Sequence, residues 1–108
     1  MSDAAHRFRK AAIERTVRGA GSTPADQRQA AFDNRNVPAA AAALVDTIAR
    51  NAWKVTDEDV AAAKAAGLSE DAIFELAVSA AMGQATRQLD SALAAVDAAF
   101  APAAKESA

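Results

Sequence analysis

The chain has 108 residues and a formal net charge of -2, with no cysteine and a single histidine, His6. That length fits one domain, and the missing thiols rule out disulfides, thiolate nucleophiles and cysteine-ligated metals. One histidine cannot build a histidine metal cage, so no metal and no cofactor is expected. The opening residues "MSDAAHRFRK" lack the apolar run of a secretory signal. No stretch reaches the roughly 18 uncharged apolar residues of a membrane span, so a cytoplasmic protein with no membrane partner is expected.

In chain order, Ser2 or Asp3 can cap a first helix that stops at "GAGS". Phe8, Ala12, Ile13 and Val17 fall on one side of it. Residues 1–20 carry Arg7, Arg9, Lys10, Arg15 and Arg18 against Asp3 and Glu14, a local +3. Thr23 caps a second helix with Pro24 at its first position and Asp26 three after the cap. Pro38 begins a third helix that carries Leu44, Val45 and Ile48 to about Asn51. Thr56 and Asp59 repeat the cap pattern for a fourth helix that ends at Gly67.

Ser69 caps a fifth and longest helix, with Glu70 and Asp71 favourably placed in its first turn. It runs to about Phe100. Phe74, Val78, Ala81, Ala85, Leu89, Leu93, Val96 and Phe100 form a stripe at helical spacing. Thirty residues span about 45 Å, long for a compact domain of this size. Either Gly83 bends the helix or a neighbouring subunit covers it. The tail, 101–108, is expected to fray. No strand signal is present, so the fold class is all-α.

The apolar content is thin in volume. Of 56 apolar residues 34 are alanine, which leaves 22 bulkier side chains. A core this light calls for further burial between subunits, and a homo-oligomer is expected.

Ala63, Gly67 and Ile73 have the spacing of a DNA-binding helix-turn-helix: small residue, turn glycine, buried aliphatic. Any tight helix pair has the same needs. The would-be recognition helix opens with Ser69, Glu70 and Asp71, adds Glu75, and has no basic residue before Arg87. Phosphate neutralisation dominates DNA affinity, so the charge argues against nucleic acid.

The stretch "AAAKAAGLSEDAIFELAVSAA", followed by Gly83 and Arg87, resembles the AhpD-like, or carboxymuconolactone decarboxylase-like, superfamily. The resemblance covers about half the chain, within an AhpD-like core at 38–100 that a basic N-terminal helix and linker at 1–22 precede. It implies an all-helical protein of about five helices that assembles as a trimer or hexamer around the region of residues 70–100. Redox members carry C-x-x-C with a histidine four residues on. Counted back from Gly67, those positions hold Ala52, Val55 and Asp59, so the disulfide cycle of a thiol peroxidase has no reactants here.

Asp59, in the histidine position, and Glu75 are the candidate acid–base residues; either would need burial to raise its pKa toward neutrality. Trp53 and Lys54 stand at the family's active-site turn and are candidates to line a pocket and hold an anion. Gln84 and Arg87 are polar residues amid alanines and complete the ligand-binding set. Three functions follow. They are a non-redox oligomeric binding or accessory protein with a small apolar or acidic ligand, a cysteine-independent decarboxylase- or isomerase-type enzyme on a small carboxylate, and a helix-turn-helix DNA binder.

Overall fold

The computed structural model describes residues 3–101. The proposed Ser2 cap and the tail from Pro102 onward lie outside the described residues. Within them the chain is all-helical: α1 (Asp3–Arg18), α2 (Ala25–Asp33), α3 (Ala39–Asn51), a 3-10 turn (Ala52–Lys54), α4 (Asp57–Ala65) and α5 (Glu70–Ala99). None of these helices is long and apolar enough to cross a membrane.

The cap signals of the second half of the chain are realised in hydrogen bonds. Asp59 N–H donates to Thr56 Oγ1 at 3.3 Å, and Thr56 N–H donates to Asp59 Oδ2 at 3.0 Å, a reciprocal capping box for α4. Gly67, at φ +106°, closes α4. Its N–H donates to the Lys64 carbonyl, and the Leu68 N–H to that of Ala63, the paired bonds of a Schellman ending. Ala72 N–H then donates to Ser69 Oγ at 3.1 Å and starts α5. Ala63 and Ile73 are buried on either side of this turn, so the helix-turn-helix spacing is here the spacing of a tight α4–α5 corner.

The start of α2 differs from expectation. Pro24 is the residue ahead of the helix, no side chain caps it, and the Thr23 hydroxyl donates to Glu75 of α5 instead. A distant carboxylate has taken the hydroxyl that a local reading assigns to the cap.

Helix α5 is the element on which α1, α2, α3 and α4 all pack. Its buried face is Ala72, Ile73, Leu76, Ser79, Ala80 and Gly83. Leu76 and Ala80 meet Ala31 of α2, Leu44, Val45 and Ile48 of α3 and Ala63 of α4 to form the core. The stripe read from the sequence is not this face. Phe74 is 68% exposed, Leu89 40%, Val96 50% and Phe100 82%. The helix therefore carries two apolar faces, and only one is covered within the chain. On α1, only Val17 is buried; Phe8 and Ala12 are exposed.

Gly83 does not interrupt α5, which is one 30-residue helix. Its role is closeness: a Cβ there would collide with the Phe32 carbonyl at the end of α2. The distal part of α5 extends the molecule to 59 × 28 × 21 Å. The radius of gyration is 17.1 Å, against about 13 Å for a compact chain of this length.

Gly83→Ala is expected to destabilise the fold by about 1–3 kcal/mol through overpacking. That outweighs the roughly 0.5–1 kcal/mol that alanine gains over glycine inside a helix. Thermal unfolding measures it, and an unchanged or raised midpoint would contradict the close α2–α5 contact.

Candidate functional site

The end of α2, the last turn of α3 with the 3-10 turn, and the middle of α5 enclose two adjoining cavities. One, of about 490 Å³, is lined by Asp33, Asn34, Ala49, Arg50, Gln84 and Arg87. The other, of about 280 Å³, shares Ala49, Arg50 and Gln84 and continues to Trp53, Ala81, Ala85 and Gln88. Together they form one groove, polar at the Arg87 end and more apolar at the Trp53 end.

Arg87 is fixed from below. Its Nη1 donates at 2.7 Å to the Phe32 carbonyl, one of the C-terminal carbonyls that α2 cannot bond internally. Its Nη2 donates to Gln84 Oε1 at 3.3 Å, a contact that the three-residue spacing on one helix face permits. A guanidinium has five N–H donors, so three remain. Among the described residues Arg87 makes no ion pair with a carboxylate. Its charge is positioned by neutral groups alone.

Arg50 faces the same cavity but is paired. Its Nε donates to Asp46 Oδ1 at 2.7 Å, and Asn34 Nδ2 donates to the same oxygen at 3.1 Å. The Arg50 hydrogen bond and then that of Asn34 hold the Asp46 carboxyl below its ordinary range. Asn34 reaches this position because it ends α2 in the left-handed region, at φ 50°, which asparagine tolerates.

Trp53 lies on the 3-10 turn and is 79% exposed, so it does not plug a gap between helices. Lys54 Nζ sits 5.0 Å from the centroid of its ring, in cation–π range. Of the four ligand-binding residues expected from sequence, Trp53 and Gln84 line one cavity, and Gln84 and Arg87 the other. Lys54 lines neither, and its ammonium sits over the Trp53 ring. Arg50, Asn34 and Gln88 complete the groove. The Asp46–Arg50 spacing of four residues was a readable sign of the pair, but not of its place beside Arg87.

The two candidate acid–base residues are elsewhere. Asp59 holds the α4 cap, as its spacing from Thr56 foretold. Glu75 is the anchor of the α1–α2 loop. It accepts from the Ser22 N–H at 2.7 Å, and its other oxygen from the Thr23 N–H at 2.8 Å and hydroxyl at 2.7 Å. The Ser22 bond above all, then the two from Thr23, with a lesser pull from the Arg28 charge, lower its pKa to about 2. A general base at neutral pH needs the opposite shift. Neither carboxylate lines the groove.

Arg28 was not anticipated at all. It is 4% exposed, and its Nη1 donates to the Thr16 carbonyl at 3.0 Å. It ties α2 to α1 next to Glu75, and nothing in the local sequence marks it as buried.

Compared with known family models, curated proteins and solved structures, the chain matches none.

Glu75→Gln removes a charged acceptor of three hydrogen bonds and is expected to cost about 1–3 kcal/mol near neutral pH. The ordinary carboxyl value is 4.5 and the folded value about 2. The stabilisation is therefore complete above 4.5 and is lost as pH falls toward 2. Denaturant unfolding of both proteins across pH 2–7 should show a gap that closes in acid; a pH-independent gap would remove the charge from the explanation.

Proposed function

We propose that the chain is a non-redox, homo-oligomeric binding protein on an AhpD-like scaffold, which holds a small carboxylate in the groove between α3 and α5. The observation that carries this reading is Arg87, a cation oriented by the Phe32 carbonyl and Gln84 and left without a carboxylate partner among the described residues. Its remaining N–H donors and those of Arg50 suit the two oxygens of a carboxylate, for which the planar fork of arginine is well shaped. The exposed ring of Trp53 offers a flat surface to an unsaturated or aromatic body at the other end of the groove.

The resemblance supports the same place. In its register Ala52 stands where redox members have a cysteine, and Ala52 borders the Trp53 end of the groove. The scaffold's reactive position would thus be kept as a binding wall, with the thiols gone. The enzymatic alternative has less to support it: the two carboxylates it would use are engaged in an α4 cap and a loop anchor.

The chain has one tryptophan, so its fluorescence reports on Trp53 alone. Titration with benzoate, as a minimal planar carboxylate, should change that emission saturably. Arg87→Ala should weaken binding about tenfold to a hundredfold, the effect of losing a charged hydrogen bond of about 1.5–3 kcal/mol. Gln84→Ala, which leaves the Phe32 contact intact, should weaken it less. An emission unmoved by benzoate, or equal affinity in Arg87→Ala, would sink the reading.

A further inference from the structure

The uncovered face of α5 has an order that its composition alone does not reveal. Along the stripe of Phe74, Val78, Ala81, Ala85, Leu89, Leu93, Val96 and Phe100 the steps are 4, 3, 4, 4, 4, 3 and 4. This series reads the same in both directions. We infer that this face is an isologous docking surface for a second copy of the chain, with the two α5 helices antiparallel. The inference rests on the self-association in the function proposed above and names its surface.

A twofold contact must be self-complementary, each residue meeting its counterpart and the reverse. With the copies antiparallel, Phe74 meets the second copy's Phe100, and Val78 meets its Val96. Toward the centre, Ala81 meets Leu93 and Ala85 meets Leu89. Aromatic faces aromatic, valine faces valine, and each leucine faces an alanine, the alternation of large and small that lets packed layers interdigitate. A parallel pair would set leucine on leucine and leave alanine facing alanine.

Charge agrees. None of the eight residues is charged. Helix α1 carries five basic and two acidic side chains, a net +3, and α5 carries one basic and five acidic, a net -4. Within one copy α1 already lies along α5, with Arg9 Nη1 2.7 Å from Asp90 Oδ1. Docking would bring the basic helix of each copy beside the acidic helix of the other.

The available area also fits. The 26 residue steps from Phe74 to Phe100 run about 39 Å, and at about 10 Å of width they offer roughly 400 Å² per copy. A stable interface buries about 800 Å² per partner. The difference can come from α1, whose exposed Ala12 and half-buried Ile13 border Ala85 and Leu89 of the stripe. A shallow groove of about 230 Å³ between Ala12, Ile13, Met82, Ala85 and Leu89 stands open to receive a side chain. Four helices, two from each copy, would then form the contact. Ala81 and Ala85 also border the Trp53 groove, so the second copy's Leu93 and Leu89 would help to wall that site.

A twofold contact produces even assemblies. Of the trimer and hexamer implied by the resemblance, only the hexamer contains one.

The experiment pairs native mass spectrometry with disulfide trapping, which the cysteine-free chain makes clean. The unmodified protein should be a dimer or a higher even-numbered assembly, and Leu89→Glu should halve the mass or reduce it to the monomer with unchanged helicity by circular dichroism. In an Ala81→Cys/Leu93→Cys variant, mild oxidation should link position 81 of one copy to 93 of the other. Within one helix these positions are about 18 Å apart, beyond disulfide reach. An unmodified protein that is monomeric would overturn both this inference and the self-association it rests on. An assembly that Leu89→Glu leaves intact, a bare trimer, or links joining 81 to 81 would overturn the antiparallel docking alone.

Discussion

The structure depends on how closely α2 can approach α5. With 34 alanines and only 22 bulkier apolar residues, the core cannot be filled by large side chains meeting at ordinary helix spacing. It is filled by bringing backbones together. Gly83 lies directly beneath the Phe32 carbonyl, and the neighbouring positions on that face are Ala80, which is fully buried, and Ser79. Dispersion attraction falls off steeply with distance, so small residues contribute only when the chains that carry them are nearly in contact. This one approach sets the height of α2 over α5.

The candidate site follows from the same contact. A carbonyl pressed onto a glycine at the end of a helix still needs a hydrogen-bond donor, and Arg87, one turn along α5 from Gly83, supplies it. The guanidinium that satisfies α2 is thereby held at the mouth of the groove, with Gln84 beside it. Packing, capping and the orientation of a free positive charge are one arrangement. At the start of α2 Glu75 does the converse: a carboxylate on α5 collects the N–H groups of the α1–α2 loop. Helix α5 thus uses one charged residue of each sign to hold the two ends of α2.

What the sequence made legible was local. Thr56 with Asp59, Gly67, and Ser69 are each read within a turn of chain, and each makes the hydrogen bond its spacing promised. Thr23 has the same local credentials and does otherwise, because its acceptor is 52 residues away. Glu75 was visible only as a charged residue on a long helix; that it anchors a loop depends on where α2 begins. Likewise Gln84 and Arg87 were marked by their alanine surroundings, while Arg50 and Asn34 join them only through tertiary folding. The five helices and their order needed no such information, since Gly, Pro and hydroxyl caps punctuate the chain.

The stripe on α5 shows a deeper limit of periodicity. A helix with one apolar face yields one answer to the question of which residues are inside. Helix α5 has two: Ile73, Leu76, Ala80 and Gly83 on one, and Phe74, Val78, Leu89 and Phe100 on another. The larger side chains mark the outer face, so counting bulk selects it first. Small residues were selected where the chain meets itself, because only they allow the approach that Phe32 requires. Large ones remain on a face that α1 borders but that the rest of the chain leaves largely open. In the antiparallel docking proposed above, a helix whose bulk faces away from its own core would serve two contacts, and the palindromic spacing of the second would match a partner that carries the same spacing in reverse.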